Sequence, residues 1–151
     1  MIKQVRHSAM AASERELRRL VDDLARQGHH VQAVAISIPT SSIPRDLSTV
    51  LRSHLLLHAA EGELYIEALA DAAHAAGLPM VRYAAKDVAA ETAAALDCSP
   101  AAVAEIAAKL GHGLGPPWAK DQKQAAMAAL LALHTVGWPR RLRPRANGRG
   151  Q

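Results

Sequence analysis

The chain has 151 residues, enough for one domain with a hydrophobic core, and half of them are hydrophobic although only 3% are aromatic and none is Phe. The single cysteine, Cys98, excludes an internal disulfide bond, and no window of about 18 apolar residues is present to form a membrane-spanning helix. We therefore expect a cytoplasmic α/β domain without a membrane partner, with a core of alanine and aliphatic side chains.

The net charge of +4 is unevenly distributed along the chain. Five arginines and no acidic residue lie within the last dozen residues: Arg140, Arg141, Arg143, Arg145 and Arg149. Such a segment favours polyanions, most often nucleic acid, although a solvated terminus can have the same composition. We predict a basic, disordered tail over residues 138–151 that follows a domain of residues 1–137.

The first part of the chain predicts a helix followed by a buried strand. Residues 2–8 alternate weakly and fit a short strand. Ser13 and Glu16 then have capping-box spacing, which predicts the start of a helix that ends at Gly28. Residues 31–38 (VQAVAISI) are nearly all apolar and rich in β-branched side chains, as expected of a strand that is covered on both faces.

The middle of the chain predicts a helical crossover between two strands. Residues 46–76 have a helical pattern with a break expected near Gly62, and Gly77 is placed to end the helix. Residues 78–83 (LPMVRY) then form a short strand. A strand, a long helical crossover and a second strand are typical of a βαβ unit, so we expect the two strands to be parallel neighbours.

Three further helices are predicted in the last part of the chain. The first covers residues 86–96, and the second covers residues 100–110, where Ser99 is the N-cap and a proline takes the first helical position. Residues 111–117 are rich in glycine and proline and form a loop. The third helix covers residues 121–133.

No self-sufficient catalytic motif is present. The glycines after residue 110 are not followed by the Lys-Ser or Lys-Thr pair of a phosphate-binding loop. His54 and His58 lie four residues apart on one helix face, a spacing that can bind a metal, but no third ligand is near them in the sequence. Cys98 has no local partner that would activate its thiol. Asp121 at a helix start is accounted for by its favourable interaction with the helix dipole.

Three stretches of the sequence carry a resemblance when they are taken together. They are VQAVAISIP after an amphipathic helix, GLPMVRYAAKDVAAETAAALDCSPAAVAEIAAKLG, and PPWAKDQKQAAMAALLALH, and they span about residues 2–134. Their order and lengths resemble the central strand, the region after the long helix, and the final helix of RuvC-type Holliday-junction resolvases. The resemblance implies a partial ribonuclease H-like fold, with a mostly parallel sheet flanked by helices.

The same resemblance implies where catalytic groups would lie. Such resolvases hold two Mg²⁺ ions with four acidic groups and activate water for attack on a phosphodiester. Asp121 matches one catalytic and metal-ligating position, whereas Ser37 stands at or beside the family's Glu and Gln124 stands where a second acid of the last helix is expected. The family's first Asp lies on an N-terminal strand that the comparison implies is missing. We therefore expect a truncated or catalytically degenerate relative, with Mg²⁺ as the only cofactor to consider and none bound by this chain.

Three classes of function stay open. The first is a nucleic-acid-binding protein, with DNA favoured, in which Lys86, Lys120, Lys123 and the tail arginines contact phosphates. The second is a helix-turn-helix regulator, because VAEIAAKLG is typical of the first helix of such a unit, but HGLGPPW is too long and proline-rich for its tight turn. The third is a non-catalytic protein-interaction module, which includes a homodimer. The sequence leaves open whether the chain is an enzyme.

Overall fold

A computed structural model describes residues 2–40, 43–44 and 46–137. In chain order these contain α1 (Ile2–Arg26), β1 (Val34–Ile38), α2 (Leu47–Leu51), α3 (His54–Ala75), β2 (Met80–Ala84), α4 (Val88–Leu96), α5 (Pro100–Leu110), a 3₁₀ turn (Gly111–Gly113) and α6 (Lys120–Thr135). None of the helices in this part of the chain has the length and hydropathy needed to cross a bilayer. The predicted basic tail, residues 138–151, lies outside the described residues.

The described chain divides into two compact units, the first of which ends at Arg82 and the second of which begins at Tyr83. In the first unit, α1 packs along α3, and Arg6 Nη2 forms an ion pair with Glu67 Oε2 at 3.1 Å. The helix already begins at Ile2, so the strand predicted for residues 2–8 is wrong and Ser13 lies inside the helix rather than at its N-cap.

The early start of α1 has a physical reason in its small side chains. Val5, Ala9 and Ala12 recur at helical spacing and line one crevice together with Leu64 of α3. Alanine is the best helix former and lets two helices approach closely. The apolar stripe of α1 therefore continues toward its N-terminus through Ala12, Ala9 and Val5. Because two of these side chains are small, they give only a weak signal in a hydrophobic pattern.

The predicted break in the long helical segment is found at a different position. The carboxylate of Asp46 caps α2 by accepting the N–H groups of Ser48 at 3.3 Å and Thr49 at 3.0 Å. Ser53 Oγ starts α3 by accepting the N–H of Leu56 at 3.4 Å. The helical segment is therefore interrupted between the end of α2 at Leu51 and the start of α3 at His54. Gly62 lies inside α3, where a glycine costs only about 1 kcal/mol of helix stability relative to alanine.

The two strands are parallel neighbours, as the sequence predicts. At the start of the sheet, the N–H of Val34, the first residue of β1, donates to the carbonyl oxygen of Pro79, directly before β2, at 2.9 Å. Only Ile36 of β1 is buried, so the expectation of a strand covered on both faces is wrong. Among the described residues the sheet has two strands, and so small a sheet leaves most of β1 partly exposed. The mixed α/β class is confirmed at this coarse level.

The described part of the second unit consists of α4, α5 and α6, which pack on one another around small side chains. Its buried residues are Tyr83, Val88, Thr92, Ala93, Val103, Ala107, Gly111, Met127, Ala128 and Ala132. Thr92 is fully buried, and its Oγ1–H donates to the carbonyl oxygen of Met127 at 3.1 Å, which ties α4 to α6. Ser99 Oγ accepts the N–H of Ala102 at 3.1 Å, so α5 has the predicted cap and bounds.

Candidate functional site

The loop that joins α5 to α6 is anchored by Trp118. Its Nε1–H donates to the carbonyl oxygen of Ala107 at 2.9 Å, at the C-terminal part of α5. The indole ring lies so close to Gly111 that a β-carbon at this position would overlap the ring. Gly111 is buried and has an ordinary helical φ of −77°, which any residue can adopt. Glycine is therefore required here because there is no room for a side chain, not because of the backbone conformation. This contact determines where the chain enters α6.

Two glutamines fix the start of α6. Gln122 Oε1 accepts the N–H of Ala119 at 3.1 Å and so satisfies a free backbone donor at the helix start. One half-turn later, Gln124 Nε2–H donates to the carbonyl oxygen of Ala85 at 3.0 Å. This part-buried hydrogen bond joins the turn that precedes α4 to the fifth residue of α6, at the start of its second turn. Gln124, for which the resolvase resemblance implies an acid, therefore has a structural contact in this chain.

The same hydrogen bond brings three of the predicted nucleic-acid-binding residues to one end of the second unit. Lys86 directly follows Ala85 in the turn, whereas Lys120 and Lys123 lie one turn apart at the start of α6. Lys86 and Lys120 are exposed and Lys123 is half-buried. None of the three forms an ion pair with a described residue. We call this group the lysine cluster; Asp121, exposed in the same first turn of α6, offsets part of its positive charge.

The two residues that the resolvase comparison implies for catalysis lie in different units. Ser37 is exposed on β1, and Asp121 is exposed at the second residue of α6. Neither side chain has a hydrogen-bond or ion-pair partner in the described part of the chain. Within these same residues, no three His, Cys, Asp or Glu side chains are placed to hold a metal ion together. Asp121 alone offers one carboxylate, which does not fit a two-Mg²⁺ centre.

The remaining predicted contacts, Arg140, Arg141, Arg143, Arg145 and Arg149, lie outside the described residues. Sequence reasoning missed Gly111, Trp118 and Gln122 as the groups that position the start of α6. One signal was available, because Trp118 is one of only two tryptophans in a chain without phenylalanine. No pattern in the sequence indicates that Gln124 bonds to the backbone of a residue 39 positions earlier.

A separate feature of the first unit is a groove of about 460 Å³ between α1, α2 and α3. Its apolar wall is formed by Val5, Val50, Leu51, Leu57 and Leu64. Glu61, Glu63 and Glu67 line the same groove. Glu67 is paired with Arg6, whereas Glu63 has no ion-pair partner among the residues that the structure describes. The groove therefore combines an apolar wall with an acidic edge.

Comparison with protein-family models, with curated proteins and with solved structures finds no match for this chain. A function for the protein must therefore be argued from its own residues, charges and contacts.

Proposed function

We propose that this protein binds nucleic acid, with DNA favoured, through the basic residues of its C-terminal region. The observation that carries the proposal is the charge of residues 122–151, which include one lysine and five arginines but no acidic residue. Each cation that neutralises a phosphate releases condensed counterions, and this release drives sequence-independent binding. The arginines can in addition form bidentate hydrogen bonds with phosphate oxygens.

The lysine cluster supports the proposal from the described part of the second unit. Lys86, Lys120 and Lys123 are brought together by the contact between Gln124 and the Ala85 carbonyl. Their charges are not neutralised by ion pairs with described residues, so they are available to an external anion. In the sequence, the lysine cluster and the five arginines both lie after Tyr83, where the second unit begins.

The resemblance to resolvases gives the proposal its substrate class, which is duplex or branched DNA. A parallel strand pair with a helical crossover is compatible with a partial ribonuclease H-like fold. Ser37 and Gln124 stand where that family has acids, so we propose binding without two-metal cleavage. The fold relationship and the loss of catalysis are both parts of this proposal.

The proposal is tested by measuring DNA binding as a function of salt. Fluorescence anisotropy with a duplex, a four-way junction and a single strand gives the slope of log K against log salt concentration. Replacing the five C-terminal arginines by glutamine should reduce that slope by up to about 4.5 on duplex DNA, at about 0.9 per phosphate contact. Replacing the same five by lysine is the matched control and should keep most of the slope, because the charge is retained.

Two outcomes would contradict the proposal. One is the absence of binding by the full chain even at low salt. The other is a glutamine variant that binds with the same affinity and slope as the unmodified chain, since binding would then not depend on the arginines. Tighter binding to the four-way junction than to the duplex would favour the resolvase-like substrate class.

A second candidate function is protein interaction, which the groove of the first unit favours. Its acidic edge and apolar wall fit a basic amphipathic helix as the partner. A helical peptide of leucine and lysine should therefore bind, whereas a leucine–glutamate peptide of the same length should not. Leu51 is 60% exposed, so Leu51→Ala should weaken binding without unfolding the chain, and Leu114→Ala, at 70% exposure in the second unit, is the matched control. A dimer that Leu51→Ala abolishes would assign the groove to a second copy instead.

A further inference from the structure

His54 and His58 converge on one point of the surface at the start of α3. Their Nε2 atoms lie 3.0 Å apart, and His58 Nδ1 lies 3.1 Å from Glu61 Oε2. The three side chains share one face of the helix, because they are spaced by four and by three residues. The side chains of His58 and Glu61 are 61% and 64% exposed, so solvent reaches the point where the imidazoles meet.

The hydrogen bonds define where the protons lie in the neutral pair. An ionised Glu61 can only accept, so His58 donates from Nδ1–H and keeps a lone pair on Nε2. The Nε2–H of His54 then donates to that lone pair. A single proton therefore separates two nitrogen atoms. If the proton of His54 lies on Nδ1 instead, the Nε2 lone pairs of both histidines face the same point. A cation can then bind to both nitrogens without release of a proton from the protein.

The distance between the two nitrogens fits a shared metal ion. With metal–nitrogen bonds of about 2.0–2.1 Å, two cis ligands lie about 2.9 Å apart in square-planar geometry and about 3.3 Å apart in tetrahedral geometry. The observed 3.0 Å lies between these two values. Glu61 stands in the position of the carboxylate that commonly accepts the second N–H of a ligating histidine and fixes the orientation of its ring.

We propose that His54 and His58 form a two-histidine site for a first-row divalent transition metal, Zn²⁺, Ni²⁺ or Cu²⁺, with Glu61 orienting His58. Imidazole suits these ions, whereas Mg²⁺ and Ca²⁺ prefer oxygen ligands. Among the described residues no third His, Cys, Asp or Glu joins the pair, so water completes the coordination. The site does not depend on the proposed nucleic-acid binding.

The test titrates the full chain, without an affinity tag, with Zn²⁺ or Ni²⁺ near neutral pH. Calorimetry should give one bound equivalent, and nitrogen NMR should show the Nε2 resonances of His54 and His58 changing together. His54→Gln or His58→Gln should each weaken binding at least tenfold. Glu61→Ala, which removes the acceptor of the His58 Nδ1–H and keeps a high helix propensity, should weaken it by about tenfold or more.

The matched control is the double variant His29→Gln/His30→Gln. It removes two exposed histidines, one more than either single variant, from adjacent positions after α1, and should leave the binding unchanged. Circular dichroism should be the same for all variants, since glutamine and alanine are good helix formers and the sites are exposed. An equal loss of affinity in the control, or no saturable binding of either metal to the unmodified chain below about 1 mM, would overturn the proposal. The NMR readout on the unmodified chain requires no variant to fold.

Discussion

The indole ring of Trp118 fills the space above Gly111 in which any other residue would carry its side chain. An added β-carbon at Gly111 would overlap the ring atoms Cγ, Cδ1 and Nε1. The same ring donates its Nε1–H to the carbonyl oxygen of Ala107, so it is held by a hydrogen bond as well as by packing. Because α6 begins two residues after Trp118, this pair positions the helix start that carries most of the lysine cluster.

Gly111→Ala is therefore expected to destabilise the protein by about 1–3 kcal/mol, because the ring or the turn must move to accept a methyl group. Gly113→Ala is the matched control in the same 3₁₀ turn. A β-carbon at Gly113 meets nothing within 4 Å, so its effect should stay below about 0.5 kcal/mol. Urea unfolding followed by tryptophan fluorescence measures both variants. Equal stability of the two would show that Trp118 does not occupy the space above Gly111.

Gly62→Ala is expected to stabilise the first unit by about 0.5–1 kcal/mol. Gly62 lies inside α3, and an added β-carbon would meet nothing within 4 Å, so alanine removes only the entropic cost of glycine in a helix. Gly77→Ala provides the opposite control. Its φ of +69° places it in the left-handed region, where a β-carbon costs about 1–2 kcal/mol. The Tm measured by thermal unfolding should thus rise for Gly62→Ala and fall for Gly77→Ala. A lower Tm for Gly62→Ala would refute an uninterrupted α3.

The cap of α2 is expected to depend on pH. Hydrogen bonds from the hydroxyl groups of Thr49 and Ser48, and then from their backbone N–H groups, lower the pKa of Asp46 from 3.8 to about 2. Since the pKa is lower in the folded chain, the cap contributes fully above pH 4 and is lost as the pH falls toward 2. An NMR titration of the Asp46 carboxyl should show the low midpoint. A midpoint near 4 would mean that the cap does not form in solution.

Signals that lie within a few residues of each other were sufficient to predict several elements. Ser99 followed by proline predicts the start of α5, and Gly77 predicts the end of α3, because a cap or a left-handed glycine acts on its own helix. The parallel pairing of β1 and β2 also follows from sequence order, since a long crossover between adjacent strands leaves few alternatives.

Features that depend on distant partners could not be predicted. The weak alternation of residues 2–8 is overridden by packing of Val5 and Ala9 near α3, and nothing local indicates that partner. For the candidate site, Lys86, Lys120 and Lys123 were predicted from their charge alone, and that role stays a prediction; their proximity depends on the Gln124 hydrogen bond to a turn 39 residues away. A polar residue on a helix gives no sign of which backbone it will contact.

The lysine cluster is expected to contribute to DNA binding through its charges. Lys120→Gln and Lys123→Gln should each reduce the salt slope by about 0.9 if the side chain contacts a phosphate. Lys109→Gln is the matched control, because Lys109 lies 2.6 Å from Glu105 and lowers the pKa of that carboxyl through a hydrogen bond and its charge. Anisotropy titrations at several salt concentrations measure all three variants. A control that loses as much slope as the others would show that binding does not involve the cluster specifically.

The chain is expected to leave four-way DNA junctions uncut in the presence of Mg²⁺. Two-metal hydrolysis needs several carboxylates around the ions, and the proposed resemblance places the neutral Ser37 and Gln124 at or beside two positions where resolvases have acids. Asp121, the one acid that this resemblance would retain, belongs to no group of three or more possible metal ligands within the described residues. Gel electrophoresis of a labelled junction after incubation with purified protein measures cleavage directly. Specific cleavage that Asp121→Asn abolishes would mean that the metal ligands are other residues of this chain than the resemblance implies.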